Sequence, residues 1–154
     1  LLQTIGIDGI KNDIPIFLAN RFTLQNLADE IASSHLKGFT NFSYIKSPFG
    51  NLASEYKIYI LDRLPTIEFE AVLAHEYLHV WLYENNIELP LTQREGFCNL
   101  GSAYIYQQNG SQFSTIHLDS MDIDSDPNYG DGYRKMKLQL EKNGWESILQ
   151  TIQQ

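Results

Sequence analysis

The stretch Leu73–Leu82, LAHEYLHVWL, places His75, Glu76 and His79 within some of the most apolar sequence of the chain. Ionisable side chains are costly to bury unless they are paired or bound to a metal. Four residues along an α-helix make slightly more than one turn, so both imidazoles project from the same face. Histidines at this spacing can share one zinc ion, and the glutamate between them can act as a general base. The stretch therefore predicts a buried central helix that carries a catalytic zinc site.

A catalytic zinc ion needs at least one further protein ligand. The other histidines, His35 and His117, fall in no clear helical frame and are expected at the surface or in loops. Glu95 is the better candidate, because a short connection makes its helix an antiparallel neighbour of the zinc helix. Asn99, one turn later, is expected to accept a hydrogen bond from the free N–H of a ligand histidine. The predicted zinc ligands are therefore His75, His79 and Glu95.

Each of these assignments has a purely structural alternative. The histidines and Glu76 can be core residues that share this spacing by chance. Glu95 can be a glutamate that the helix dipole favours in a first turn. Gly96, beside Glu95, allows the close approach of another backbone, although an isolated glycine can also be without consequence.

The elements before the zinc helix read mainly as strands. Residues 14–20, IPIFLAN, predict a short buried strand in which Pro15 marks the first residue or an edge position. Residues 23–34, TLQNLADEIASS, predict a helix with Thr23 as its N-cap. NFSYIK and YKIYILD predict paired strands around a turn in KSPFGN, and either strand could offer an edge to an extended substrate.

The elements after residue 65 read as helices. Strands followed by helices predict an α+β domain with a helical core on one side of a small N-terminal sheet. Asp131 and Gly144 are expected to cap and to end the third helix. The predicted order is a zinc helix over 66–85, a second helix over 92–108, a polar Asp-rich loop, the third helix, and a short last helix.

Composition sets limits on function. With 154 residues, 43% of them hydrophobic, we expect a single globular domain over 1–154. The net charge of −8 leaves no basic stripe for nucleic acid. The single cysteine, Cys98, argues against a Cys-rich structural zinc site, and no apolar run reaches the ~18 residues of a membrane span. LLQTIGIDGI does not resemble a signal peptide, so we expect a cytoplasmic protein, and the missing initiator Met suggests a fragment of a longer one.

Four ordered motifs carry a family resemblance. They are IPIFLAN, ILDRLP followed by VLAHEYLHVWL, REGFCN, and DPNYGDGYRKMKLQLEKNG. Together they resemble the Da-one peptidases of plants, which are LIM-domain proteins activated by ubiquitin, and their bacterial relatives. The resemblance implies a gluzincin-like zinc metallopeptidase domain that cleaves proteins or peptides. It implies His75, His79 and Glu95 as zinc ligands and Glu76 as the catalytic base.

The chain also departs from that family. The spacing from His79 to Glu95 is about one residue shorter than in the plant proteins. A single glutamate precedes Gly96 where the plant proteins have two. The sequence shows no LIM module and no recognisable ubiquitin-interacting segment, so dependence on ubiquitin is not carried over.

The segment NYGDGYR, residues 128–134, is the expected source of an oxyanion donor. Tyr129 is the first choice, because the resemblance requires only an aromatic ring at Tyr133, and Arg134 is expected to anchor the segment through a carboxylate. The structural alternative is a helix cap with aromatic packing. Two rival functions remain open: a non-catalytic zinc-fold module that binds a protein partner, and an interaction domain without metal.

Overall fold

The computed structural model describes residues 2–7, 13–28, 36–46 and 52–153. Within these residues the fold is α+β, as predicted, with a mixed sheet of three strands and five α-helices. The chain groups into two compact units, one formed by Leu1–Ile10 with Thr66–Gln154 and the other by Lys11–Pro65. Among the described helices, none has the length and apolarity that crossing a membrane requires.

The sheet of the smaller unit has the strand order β1-β3-β2. Its strands are β1 (Ile16–Ala19), β2 (Gly38–Lys46) and β3 (Leu52–Leu61). β2 and β3 pair antiparallel, as predicted, with Phe39 opposite Tyr59, and β1 runs parallel to β3. Because β3 is paired on both sides, the suggestion that YKIYILD offers an edge to substrate is wrong. β2 and β1 are the edge strands.

β1 differs from the predicted buried strand. Ile16, Phe17 and Leu18 are exposed, and only Ala19 is buried. A short apolar run does not by itself require burial, because a mixed or antiparallel sheet can leave the side chains on one of its faces uncovered. The edge position inferred from Pro15 is confirmed: its carbonyl oxygen accepts a hydrogen bond from the Ile58 N–H, and proline has no N–H of its own to donate.

The first helix, α1 (Arg21–Leu27), begins earlier than predicted. Its N-cap is Asn20, whose side chain accepts a hydrogen bond from the Thr23 N–H at 2.9 Å. The prediction of Thr23 as the cap is therefore wrong; asparagine is at least as good an N-cap and stands three residues earlier. The second half of the predicted helix, His35, and most of the predicted KSPFGN turn lie outside the described residues.

The larger unit is built from four helices. They are α2 (Thr66–Glu84), α3 (Leu91–Asn109), α4 (Gln112–Ile123) and α5 (Gly130–Ile152). α2 and α3 begin and end within one residue of the predicted bounds, and α3 packs against the other three. The core between them is apolar and includes Leu78, Trp81, Phe97, Leu100, Tyr133 and Met136.

α4 replaces the predicted polar loop. Ser111 caps it by accepting a hydrogen bond from the Ser114 N–H. His117 lies on this helix, half-buried beside the rings of Phe113 and Tyr106, so its expected surface or loop position is wrong. Its Nδ1 donates to the Phe113 carbonyl oxygen at 3.0 Å, because a carbonyl can only accept.

α5 begins at Gly130, with Tyr129 in the N-cap position. The prediction of Asp131 as the cap is therefore wrong, and Asp131 lies in the first helical turn instead. The predicted break at Gly144 is confirmed by its φ of 75° and ψ of 171°, a conformation that side-chain-bearing residues rarely adopt. α5 is thus two helical segments joined at Gly144.

Candidate metal centre

The two histidines of α2 meet on one face of the helix. His75 and His79 bring their Nε2 atoms to 3.1 Å from each other, with their rings in an edge-to-face arrangement. Glu95, in the first turns of α3, places Oε2 at 3.4 Å from Nε2 of His75 and at 3.5 Å from Nε2 of His79. The three atoms that the sequence predicts as metal ligands therefore form one small triangle.

This triangle has the dimensions of a zinc site. Ligand atoms about 2.0–2.2 Å from a tetrahedral zinc ion lie roughly 3.3–3.6 Å from one another. The observed separations of 3.1, 3.4 and 3.5 Å fall at or close to that range. The donor types, two imidazoles and one carboxylate, are those of known catalytic zinc sites. The residues present fit the ion.

The carboxylate of Glu95 supports the same interpretation. Glu95 is buried, and its Oε1 lies 3.3 Å from Nε of Arg94. Its Oε2 makes no hydrogen bond to any residue that the structure describes. A buried acceptor without a partner is costly, and a carboxylate oxygen in this position is stabilised by a cation. Oε2 faces Nε2 of both histidines, so a cation between these three atoms would stabilise it.

The charged groups of the site shift one another's pKa values, and they do so in a buried environment. Burial alone would lower the pKa of His75, but Glu95, Glu76 and Asn99 outweigh it and raise that pKa. Burial alone would raise the pKa of Glu95, but His75 and His79 hold it well below its ordinary range. Glu95 is therefore ionised at neutral pH, in the form that binds a metal.

Asn99 fixes the orientation of His75. Its Nδ2 donates to the carbonyl oxygen of Tyr129 at 3.2 Å, and a carbonyl can only accept, so the orientation of the amide is settled. Asn99 Oδ1 therefore faces Nδ1 of His75 at 3.0 Å and accepts its proton. With the N–H on Nδ1, the lone pair of the neutral ring is on Nε2, which faces Nε2 of His79 and Oε2 of Glu95.

Tyr129 lies beside this histidine. Its ring is stacked on the His75 ring at 6.4 Å between centroids and 21° between planes. Burial and the charges of Glu95 and Glu76 raise the pKa of Tyr129, so its hydroxyl remains a donor at neutral pH. Tyr133 instead lies in the apolar core, 1% exposed. Of the two tyrosines, only Tyr129 has a described contact with a predicted ligand.

The start of α5 reaches the site because two backbones touch. A Cβ added at Gly96 would lie 2.3 Å from the Gly132 carbonyl oxygen, and one added at Gly132 would lie 2.2 Å from the Thr92 carbonyl oxygen. Any side chain there would separate α3 from α5. The approach inferred from Gly96 is therefore present, next to Glu95 in the sequence.

Arg134 anchors the same segment. Its guanidinium pairs with the Asp131 carboxylate and donates to the carbonyl oxygens of Asp122 and Asp124. Because Asp131 belongs to the same segment, this carboxylate does not anchor it, and the contacts that tie α5 to the end of α4 are those to the backbone carbonyl oxygens. Thr92 adds a further tie by donating to Asn128 Oδ1 at 2.9 Å.

Glu76 is buried on α2 between the two histidines in sequence, with 5% of its surface exposed. Its negative charge helps to raise the pKa values of His75, Cys98 and Tyr129. Glu76 therefore interacts electrostatically with three residues of the site.

Cys98 is a residue of the site that sequence reasoning missed. The cysteine, His75 and His79 form a group that could hold a metal ion, with ligand atoms all within 4.8 Å of one another. Cys98 is fully buried, and burial together with the charges of Glu95 and Glu76 raises the pKa of its thiol. The signal was its position three residues after Glu95, on the same side of α3.

Comparison with protein-family models, with curated proteins and with solved structures finds no match to this chain.

Proposed function

We propose that the chain is a zinc-dependent peptidase domain of the gluzincin-like HExxH type that hydrolyses protein or peptide substrates. One zinc ion is held by His75, His79 and Glu95. The observation that carries the proposal is the convergence of the three ligand atoms at 3.1–3.5 Å, one of them a buried carboxylate oxygen without a hydrogen bond among the described residues. The resemblance to the Da-one peptidases supports the same reaction class.

When bound, zinc supplies Lewis acidity, which lowers the pKa of water and polarises a carbonyl group. Glu76 takes a proton from the attacking water as its oxygen adds to the peptide carbonyl. Glu76 then gives that proton to the nitrogen of the leaving amine. The carboxylate thus ends the cycle in the form in which it began.

Two further side chains assist in this proposal. Tyr129 donates its hydroxyl proton in a hydrogen bond to the oxyanion that develops on the carbonyl oxygen. Asn99 holds His75 in the tautomer whose Nε2 carries no proton, through the bond at 3.0 Å to Nδ1. Asn99 also binds the Tyr129 carbonyl oxygen, so one amide positions a ligand and the segment that bears the donor.

Glu76→Gln tests the proposal. The variant should keep one zinc ion per chain, measured by elemental analysis, and should lose cleavage of a peptide library followed by mass spectrometry. The reason is that an amide cannot accept the proton of water. Glu70→Gln is a matched control, because Glu70 is an exposed glutamate on the same helix. His79→Ala should lose both metal and cleavage, and undiminished turnover in Glu76→Gln would falsify the general-base role.

The alternative function is a non-catalytic zinc-fold module that binds a protein partner. One observation favours it: Cys98 offers a possible fourth protein donor close to the two histidines, and four protein ligands are typical of structural zinc sites. A wild-type chain that holds zinc, binds peptides and cleaves none of them would select this alternative.

A further inference from the structure

Two donors of different chemistry lie beside the same pair of histidines. Glu95 Oε2 lies 3.4 and 3.5 Å from their Nε2 atoms. Cys98 Sγ and one ring nitrogen from each histidine all lie within 4.8 Å of one another. Cys98 and Glu95 are three residues apart on α3, so both side chains leave the helix on one side. A set of metal ligands that contains His75 and His79 can therefore be completed by an oxygen ligand or by a sulfur ligand.

The surroundings indicate that a cation belongs here independently of the cysteine. Glu95 is 4% exposed, and its Oε2 has no hydrogen-bond partner within the described part of the chain. This oxygen faces Nε2 of both histidines, and Cys98 belongs to one group of possible metal ligands with the same two residues. Cys98 is thus a thiol buried beside a carboxylate oxygen that makes no hydrogen bond among the described residues.

The chemistry of the two donors, oxygen and sulfur, separates them by the kind of ion that each suits. A nitrogen and a sulfur bound to one tetrahedral zinc ion, at about 2.0–2.1 and 2.3 Å, lie roughly 3.5 Å apart. The potential ligand atoms of His75, His79 and Cys98 lie within 4.8 Å of one another, so small side-chain shifts bring all three within reach of one ion. Soft thiolate ligands select thiophilic metals. The sulfur donor therefore suits a softer ion than the oxygen donor does.

We propose that Cys98 gives the metal centre a second donor set, His75–His79–Cys98, which takes thiophilic cations such as Cd²⁺. The inference rests on the histidine pair of the proposed function and not on turnover. As the sulfur–metal bond forms, the thiol releases its proton to solvent, and neither the metal nor the sulfur changes oxidation state. Cys98 is then a residue that determines metal selectivity.

Titration of the metal-free full chain with CdCl₂ tests this inference. The wild type should develop a sulfur-to-cadmium charge-transfer band in the ultraviolet, and Cys98→Ser should lose it. Competition with a chromophoric chelator should show Cd²⁺ affinity at least about tenfold weaker in Cys98→Ser, the order expected for loss of a supporting group at a metal site. The affinity for Zn²⁺ should change by less than the affinity for Cd²⁺.

Glu95→Gln is the reciprocal variant and should weaken Zn²⁺ more than Cd²⁺. His79→Ala should weaken both. A wild-type cadmium complex without a sulfur band overturns the inference even if every variant fails to fold. So does a Cys98→Ser variant, native by tryptophan fluorescence, whose Cd²⁺ affinity is unchanged. A chain that shows the band but cleaves no peptide overturns the proposed peptidase function and leaves this inference standing.

Discussion

Gly96→Ala should destabilise the larger unit, which is formed by helices α2 to α5 and is called the helical unit below, although alanine is a better helix former than glycine. Alanine gains up to about 1 kcal/mol over glycine from helix propensity. The new Cβ, however, would lie 2.3 Å from the Gly132 carbonyl oxygen and 2.4 Å from the carbonyl carbon, where ordinary contacts begin at 3.4 Å. The Gly132 carbonyl group belongs to the backbone of α5 and cannot rotate away, so α3 and α5 must separate by roughly 1 Å. Overpacking of this kind costs about 1–3 kcal/mol or more, and we expect a net loss of that order.

Gly101→Ala is the matched control on the same helix. Its Cβ would meet Cδ1 of Leu78 at 2.8 Å, which is the end of a flexible side chain, and the Ala74 carbonyl oxygen at 3.3 Å. The propensity gain is the same, and rotation of the leucine relieves most of the contact. We therefore expect Gly101→Ala to remain within about 1 kcal/mol of the wild type.

The two variants can be compared by equilibrium unfolding in urea followed by tryptophan fluorescence. The only tryptophans of the chain, Trp81 and Trp145, both belong to the helical unit, so the signal reports on that unit. The midpoint of Gly96→Ala should be clearly lower than that of Gly101→Ala at a similar slope. Equal midpoints for the two variants would refute the argument that backbone contact at Gly96 holds the start of α5 in place.

Two further predictions concern the metal centre itself. Tyr129→Phe should retain zinc and the melting temperature but lose a factor of about 10²–10³ in kcat, because a hydroxyl donor to the oxyanion is removed. If kcat is unchanged, the only role left to Tyr129 is the packing of its ring against His75. Zinc affinity should fall as the pH drops. Protons compete for the histidine nitrogens, and because the pKa of His75 is raised from 6.5, this competition begins at a higher pH than for an ordinary histidine. Chelator competition at about pH 8 and about pH 6 measures the effect, and equal affinities at the two values would contradict it.

The ligand geometry was accessible from sequence because it depends on local helix periodicity. His75 and His79 are four residues apart, which already fixes their common face. Glu95 could be inferred from the short connection between α2 and α3. The same reasoning placed Asn99 near a histidine, but it could not supply the orientation of the amide, which depends on the Tyr129 carbonyl oxygen some thirty residues away.

α4 shows where such reasoning fails. The inward side of this helix includes Phe113, Ser114, His117 and Leu118. Two of these are polar, so the apolar stripe that announces a helix is interrupted. Their burial is possible because Ser114 donates to Asn109 and His117 lies 3.5 Å from the Glu68 carboxylate. These partners come from other helices or from the preceding turn and are not visible in the local pattern.

Cys98 was missed for a different reason. Its spacing from Glu95 was visible, but a single cysteine was used only to exclude a Cys-rich site. Proximity to His75 and His79 arises from the packing of α3 on α2, and that packing is a tertiary property.

The side-chain amide of Asn99 has one hydrogen-bond acceptor and one donor group, and this restricts which residues can replace it. It must accept from the imidazole of His75 and donate to the Tyr129 carbonyl oxygen at once. Aspartate has the same shape and serves the histidine, but it sets oxygen against oxygen at the second contact. A lineage that exchanges Asn99 for aspartate would therefore keep a place for the metal while releasing the first residues of α5. Attachment of that segment can thus be lost in a single substitution, without a mutation in any of the proposed metal ligands.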